Sequence, residues 1–227
     1  MKRLFLSILL AVPMMALAGN VKSPNGNIEL KFSVDNNGRP VYEMTYKGRE
    51  VIKPSFLGLE LAKDKHASKG MKETDLMDGF TIAKEETKEF DENWQPVWGE
   101  TKDIRNHYNE LAVTLNQIIK TPEYRGNGKN NGLALMSQER EMIIRFRVYD
   151  DGIGFRYEFP QQQELNYFLI KEERTEFAMS GDHTAWWLPG DYDTQEQETQ
   201  ECKLSEIRGR MKEAVNWGNS AVTPPTI

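Results

Sequence analysis

Residues 144–159 read Ile144-Arg145-Phe146-Arg147-Val148-Tyr149-Asp150-Asp151-Gly152-Ile153-Gly154-Phe155-Arg156-Tyr157-Glu158-Phe159. Apolar side chains occupy every second place on either side of Asp150-Asp151-Gly152: Ile144, Phe146 and Val148 before it, Phe155, Tyr157 and Phe159 after it. Arg145, Arg147, Arg156 and Glu158 fill the places between. A period of two puts each set on its own face of an extended backbone, and the Asp-Gly step folds the two runs into an antiparallel hairpin. Working outward, the same alternation returns at Ile28, Leu30, Phe32 and Val34. After the turn residues Asn36-Asn37-Gly38-Arg39-Pro40 it resumes at Tyr42, Met44 and Tyr46, and Lys47-Gly48 turns the chain again before Val51 and Ile52. The N-terminal part is therefore an antiparallel meander.

Leu165 to Ile170 and Thr175 to Met179 read as two further short strands. Phe80 and Ile82 open another, which a charged run from Lys84 to Glu92 interrupts. Two polar stretches, residues 62–78 with His66 and residues 124–132, read as exposed loops; the glycines of the second do not lead from a strand into a helix carrying Lys-Ser/Thr, so it is no phosphate cradle. The one helical signal is the stripe Leu204, Ile207, Met211 and Val215, with Glu206 and Arg210 placed to pair one turn apart. Many short strands, glycine turns and one helix predict an all-β chain, in which two packed antiparallel sheets bury the inward aromatics.

Met1-Lys2-Arg3, an apolar run from Leu4 to Leu17 and Ala16-Leu17-Ala18 before Gly19 have the form of a secretory signal peptide over residues 1–18. The run is too short to span a bilayer. Its removal takes Lys2 and Arg3 and deepens the formal charge from −6 to −8, which argues against nucleic acid or an anionic membrane as partner. Cys202 is the single cysteine, so no internal disulfide forms, and a periplasmic location fits better than a disulfide-stapled extracellular module.

Chemistry concentrates in two stretches. Gly181-Asp182-His183-Thr184-Ala185-Trp186-Trp187-Leu188-Pro189-Gly190 is followed by Asp191, Asp193, Glu196 and Glu198: an aromatic pair beside oxygen ligands, as a sugar site with a hard cation requires. The two tryptophans face opposite ways on extended backbone, so at least one belongs to the core. Trp94-Gln95-Pro96-Val97-Trp98-Gly99-Glu100 precedes Arg105-Asn106-His107-Tyr108-Asn109. Trp94 and Trp98 either line a groove in which these polar groups meet sugar hydroxyls, or plug the end of the sandwich. No HExxH, GxSxG or CxxC occurs, and for His107 and His183, the histidines available to an epimerase, the sequence identifies no carboxylate partner.

Four motifs in order carry a resemblance: residues 94–100, residues 105–111, residues 150–159, and Gly190-Asp191-Tyr192-Asp193-Thr194-Gln195-Glu196. Together they resemble the N-terminal domain of glycoside hydrolase family 97, from Val21 to Ala214. The resemblance implies an antiparallel β-supersandwich related to galactose mutarotase, incomplete here at its C-terminal end, followed in the family by a catalytic (β/α)8 barrel. It implies an α-glucosidase-type hydrolase acting on starch-derived α-glucan oligosaccharides, with calcium in the active site and Glu196 as the ligand this domain supplies. Calcium takes six to eight oxygens, so Glu196 completes a site built mostly elsewhere. On this reading residues 19–227 form the N-terminal domain, the barrel of the same polypeptide is its partner, and the chain alone is inactive. Trp94, Trp98, His107 and Trp187 are the candidate substrate contacts. The competing expectation is a free-standing carbohydrate-binding module.

Overall fold

A computed structural model of the chain describes residues 16–62, 75–125, 132–163, 165–190 and 197–214. His66, residues 126–131, Asp191, Asp193, Glu196 and Val215 lie outside the described residues. The chain divides into two units between Ala178 and Met179.

In the first unit β1 (Ala16–Lys22), β2 (Ile28–Val34), β3 (Pro40–Tyr46) and β4 (Arg49–Phe56) form one antiparallel sheet in sequence order. The short β5 (Leu59–Leu61) follows. Then β6 (Phe80–Trp94), β7 (Ile104–Arg125), β8 (Gly132–Val148) and β9 (Ile153–Glu158) form a second four-stranded sheet, and β10 (Ile170–Glu173) pairs back with β5. The hairpin read from residues 144–159 is β8–β9, with Phe146 opposite Phe155 and Arg145 opposite Arg156. Phe146 lies 5.8 Å from both Phe32 of β2 and Phe155, and Tyr42 of β3 lies 5.8 Å from Phe155. These rings join the two sheets face to face, as the alternation predicts for an all-β sandwich. Ile28, Leu30, Phe32 and Val34 of β2, Leu111, Val113 and Leu115 of β7, and Met142, Ile144, Phe146 and Val148 of β8 are all buried.

The β2–β3 turn also ties the sheets together. Asp35 accepts from the backbone N–H groups of Asn37 and Arg39 and from the Arg39 guanidinium. Its carboxyl is held below the usual range by these bonds, against the opposing push of burial. The turn that results receives the Gly79 and Phe80 N–H groups on the carbonyls of Asn37 and Gly38, which starts β6.

Several expectations need correction. The charged run Lys84–Glu92 does not interrupt β6; the strand continues through it to Trp94. β6 is an edge strand exposed over most of its length, and charge on such a strand discourages pairing with another chain. β7 runs to Arg125 and β8 begins at Gly132, so the loop predicted over 124–132 shrinks from both ends. Between Leu165 and Ile170 only Ile170 is in a strand. Residues 175–178 are extended but form no full ladder: the Glu176 N–H reaches the Phe56 carbonyl, the Lys53 N–H reaches the Ala178 carbonyl, and the Ala178 N–H turns to the Ser55 hydroxyl. β1 begins at Ala16, and its register with β2 slips between Ala18 and Asn20.

In the second unit β11 (Thr184–Trp187) pairs antiparallel with β12 (Gln200–Lys203). A single 3-10 turn at Leu204–Glu206 then leads into α1 (Ile207–Ala214), and Arg210 pairs with Glu206 at 3.2 Å as the spacing predicts.

Candidate functional site

The motif at residues 94–100 falls where β6 turns into β7. β8 stops pairing with β7 at Asn109, opposite Val148. Beyond that point the pairs Phe90–Tyr108, Asp91–His107, Glu92–Asn106, Asn93–Arg105 and Trp94–Ile104 form a two-stranded ribbon, about 15 Å long at the usual strand rise. Cross-strand register places Glu89, Asp91, Arg105 and His107 on one face, and Phe90, Tyr108, Glu92, Asn106, Trp94 and Ile104 on the other.

The charged face is internally paired. Arg105 donates Nε–H and Nη2–H to the two Asp91 oxygens at 2.8 and 2.7 Å, a bidentate bond that holds the Asp91 carboxyl below its ordinary range. His107 Nε2 lies 3.3 Å from Glu89 Oε1. Near the turn Gln95 donates to Asp103 at 2.6 Å. At the root the Asn109 amide donates to the Lys22 carbonyl, at the edge of a polar groove of about 320 Å³ lined by Asn20, Lys22, Thr87 and Glu89. The groups that the sequence offers to sugar hydroxyls are thus engaged across the ribbon. Residues 105–111 form part of β7, paired along β6 and, from Asn109 onward, along β8; Arg105, Asn106 and His107 find side-chain partners on β6, Asn109 finds a carbonyl on β1 and Glu110 an arginine on β8.

The apolar side chains are the exposed ones. Trp98 is 89% exposed and Val97 fully so, while Trp94 is 46% exposed. Phe90 stacks on Tyr108 at 5.1 Å, Tyr149 packs on the other side of Tyr108, and the Arg147 guanidinium lies 4.5 Å from the Tyr108 ring centre. These contacts brace the ribbon where it leaves the sheet.

In the second unit Trp187 is 1% exposed, and its indole N–H points at the Cys202 sulfur at 3.2 Å. It has no free face for a pyranose ring, which overturns its reading as a stacking platform; its neighbour Trp186, 44% exposed on the opposite face of β11, is the accessible one. Asp182 accepts from both the backbone N–H and the hydroxyl of Ser205 at 2.9 and 2.8 Å, and these bonds lower its pKa. Among the described residues no three His, Cys, Asp or Glu side chains converge as a metal cage.

One charged cluster was not singled out by sequence. On the outer face of the second sheet Arg145 donates to Glu110 at 2.5 Å and to both Glu158 oxygens at 2.6 and 2.9 Å. Arg147 also donates to Glu110, and Arg156 to Glu158. The bonds from Arg145, then those from Arg156, draw the Glu158 carboxyl down to about 2. For Glu110 burial pushes upward, but Arg145 and Arg147 prevail and its pKa is lowered. Alternation marks these residues as outward; the partners depend on a β7–β8 register that spacing does not encode.

Residues 21–227 match the Glycosyl-hydrolase 97 N-terminal family. A retaining alpha-galactosidase of Bacteroides thetaiotaomicron is 25% identical over 166 residues, covering 72% of this chain and 19% of its own length. A Glycoside Hydrolase Family 97 enzyme from Pseudoalteromonas sp. strain K8, solved with panose and with acarbose, superposes with a TM-score of 0.63 at 29% identity, over 87% of this chain and 25% of the other. A beta-arabinopyranosidase shares the fold, with a TM-score of 0.55 at 21% identity over 78% of this chain and 23% of its own. The chain thus spans a quarter or less of the length of these relatives. With its sandwich, its four ordered motifs and this match along nearly all its length, the chain belongs to the glycosyl-hydrolase 97 N-terminal family.

Proposed function

We propose that the chain is the N-terminal part of a secreted, periplasmic hydrolase of α-glycosides, taking starch-derived gluco-oligosaccharides, whose cleaving acid and base lie in a barrel outside these 227 residues. The observation that carries this is the family match over residues 21–227, read beside a relative at 29% identity solved with panose and acarbose. The α-galactosidase relative favours the same class of α-linked substrate while differing in the sugar. Glu196 would contribute one carboxylate to a calcium ion completed by oxygens from outside this chain, and calcium so bound would supply Lewis-acid stabilisation of developing charge.

Calorimetry of the chain with calcium and with panose, beside an assay of panose hydrolysis, tests this. The expectation is no hydrolysis and no calcium binding tighter than millimolar by the chain alone. Hydrolysis by the chain itself, abolished by a substitution within it, would sink the reading. The exposure of Trp94 and Trp98 favours a second reading, a free-standing carbohydrate-binding module. That reading requires glucan binding by the chain without calcium, lost in Trp98→Ala.

A further inference from the structure

We infer that the processed amino terminus of this protein is Gly19, and that its ammonium pairs with the Glu85 carboxylate of β6, which anchors β1 once the leader has gone. The cut rests on the exported reading proposed above; the pairing rests on the geometry at Gly19.

Gly19 is the one residue of β1 with no register partner on β2. Ala18 lies opposite Phe32 and Asn20 opposite Lys31, so the strand bulges between them. Its φ of +35° suits glycine, and a Cβ there would stand 2.7 Å from the Leu111 side chain. At this bulge the Gly19 nitrogen leaves the β1–β2 ladder and donates to Glu85 Oε2 in the second sheet at 2.9 Å.

That nitrogen belongs to the peptide bond that Ala16-Leu17-Ala18 marks for cleavage. Hydrolysis of the Ala18–Gly19 bond takes up one water, leaves a carboxylate on Ala18 and makes the Gly19 nitrogen an α-amine, mostly protonated at neutral pH. The same atom then carries three N–H donors and a positive charge beside a carboxylate, and a hydrogen bond becomes an ion pair.

The surroundings single out Glu85 as the partner. Among the described residues it pairs with no lysine or arginine, and its neighbours Lys84 and Glu86 pair with each other. Glu29 of β2 is taken by Asn20 and Lys22, and Glu110 of β7 by Arg145 and Arg147. Leu111 offers Gly19 only aliphatic carbon, and Lys88 and Glu89 of β6 share the polar groove with Asn20 and Lys22. Cleavage also strips Ala16, Leu17 and Ala18 from β2, which leaves a short strand that starts at a chain end. Such an end frays unless it is tied down, and the Glu85 pair ties it to the facing sheet.

The test exports the chain with residues 1–18 in a Gram-negative host and compares it with its Glu85→Gln and Glu86→Gln forms. Glu86 is the adjacent carboxylate on the opposite face of β6, so it controls for the loss of one charge. Intact mass reads the cut, and the expected product begins at Gly19. Competitive acetylation of the α-amine at a series of pH values, read by peptide mass spectrometry, gives its pKa. The expected value lies above the usual range of about 7.7–8.0 in the wild type and in Glu86→Gln, and inside that range in Glu85→Gln. An aminopeptidase removes Gly19 at least several-fold faster from Glu85→Gln than from the other two. A mass that begins elsewhere than Gly19 overturns the inference together with the leader reading. A Gly19 terminus whose amine titrates alike in all three proteins overturns the pairing and leaves the leader reading standing.

Discussion

Protonating Glu158 should cost the first unit measurable stability, and the cost should have a defined pH window. The carboxylate accepts three hydrogen bonds, two from Arg145 and one from Arg156, and its pKa falls from the model-compound value of 4.5 to about 2. A carboxyl depressed in the folded state stabilises above its unfolded pKa and loses that contribution as pH falls through the folded one. The full span between these values corresponds to at most about 3 kcal/mol. The cluster lies on the solvent side of the sheet and the Glu158 side chain keeps 23% exposure, so screening reduces this to about 1–2 kcal/mol. Glu158→Gln removes the charge and keeps the shape, and Arg145 retains Glu110. Urea unfolding followed by circular dichroism from pH 7 to pH 2.5 should show the wild type ahead of the variant by about 1–2 kcal/mol at and above pH 5.5. More than about half of that lead should be gone by pH 3. A lead that persists unchanged to pH 2.5, or is absent at pH 7, would falsify the assignment of this network to folding stability.

Other outcomes follow from packing. Phe146, wholly buried against Phe32, Tyr42 and Phe155, should cost about 3–5 kcal/mol as Phe146→Ala, read from the urea midpoint. Gly38 has φ +77°, and a Cβ there would stand 2.5 Å from the Phe80 nitrogen, so Gly38→Ala should cost about 2 kcal/mol or more. Gly48 has the same φ with open space around it and should cost only about 1 kcal/mol as Gly48→Ala; equal losses would show that the contact with β6 is unimportant. Trp187→Ala should destabilise the second unit by about 3–5 kcal/mol and Trp186→Ala by about 1 kcal/mol or less, and the reverse order by thermal melting would contradict the burial described here.

The sandwich was legible in residues 144–159 and 28–34 because a period of two is a local property: each side chain's face depends only on its neighbours along the strand. The helix after Leu204 was legible for the same reason. Where edge position outweighed patterning, local reading failed, and the charged length of β6 looked like an interruption because nothing in it alternates toward a core.

The candidate site divides along the same line. Sequence by itself determined that one of Trp186 and Trp187 turns inward, and it singled out Trp94, Trp98 and the polar run after them as motifs that carry the family resemblance. Which tryptophan is buried was settled by the antiparallel partner of β11, which sets the Trp187 indole beside Cys202. That Arg105 and His107 are bound to Asp91 and Glu89, and that Arg145 sits between Glu110 and Glu158, was decided by cross-strand register. Register joins residues 13 to 35 positions apart, and a one-residue slip would exchange every partner, so no spacing along the chain can carry it.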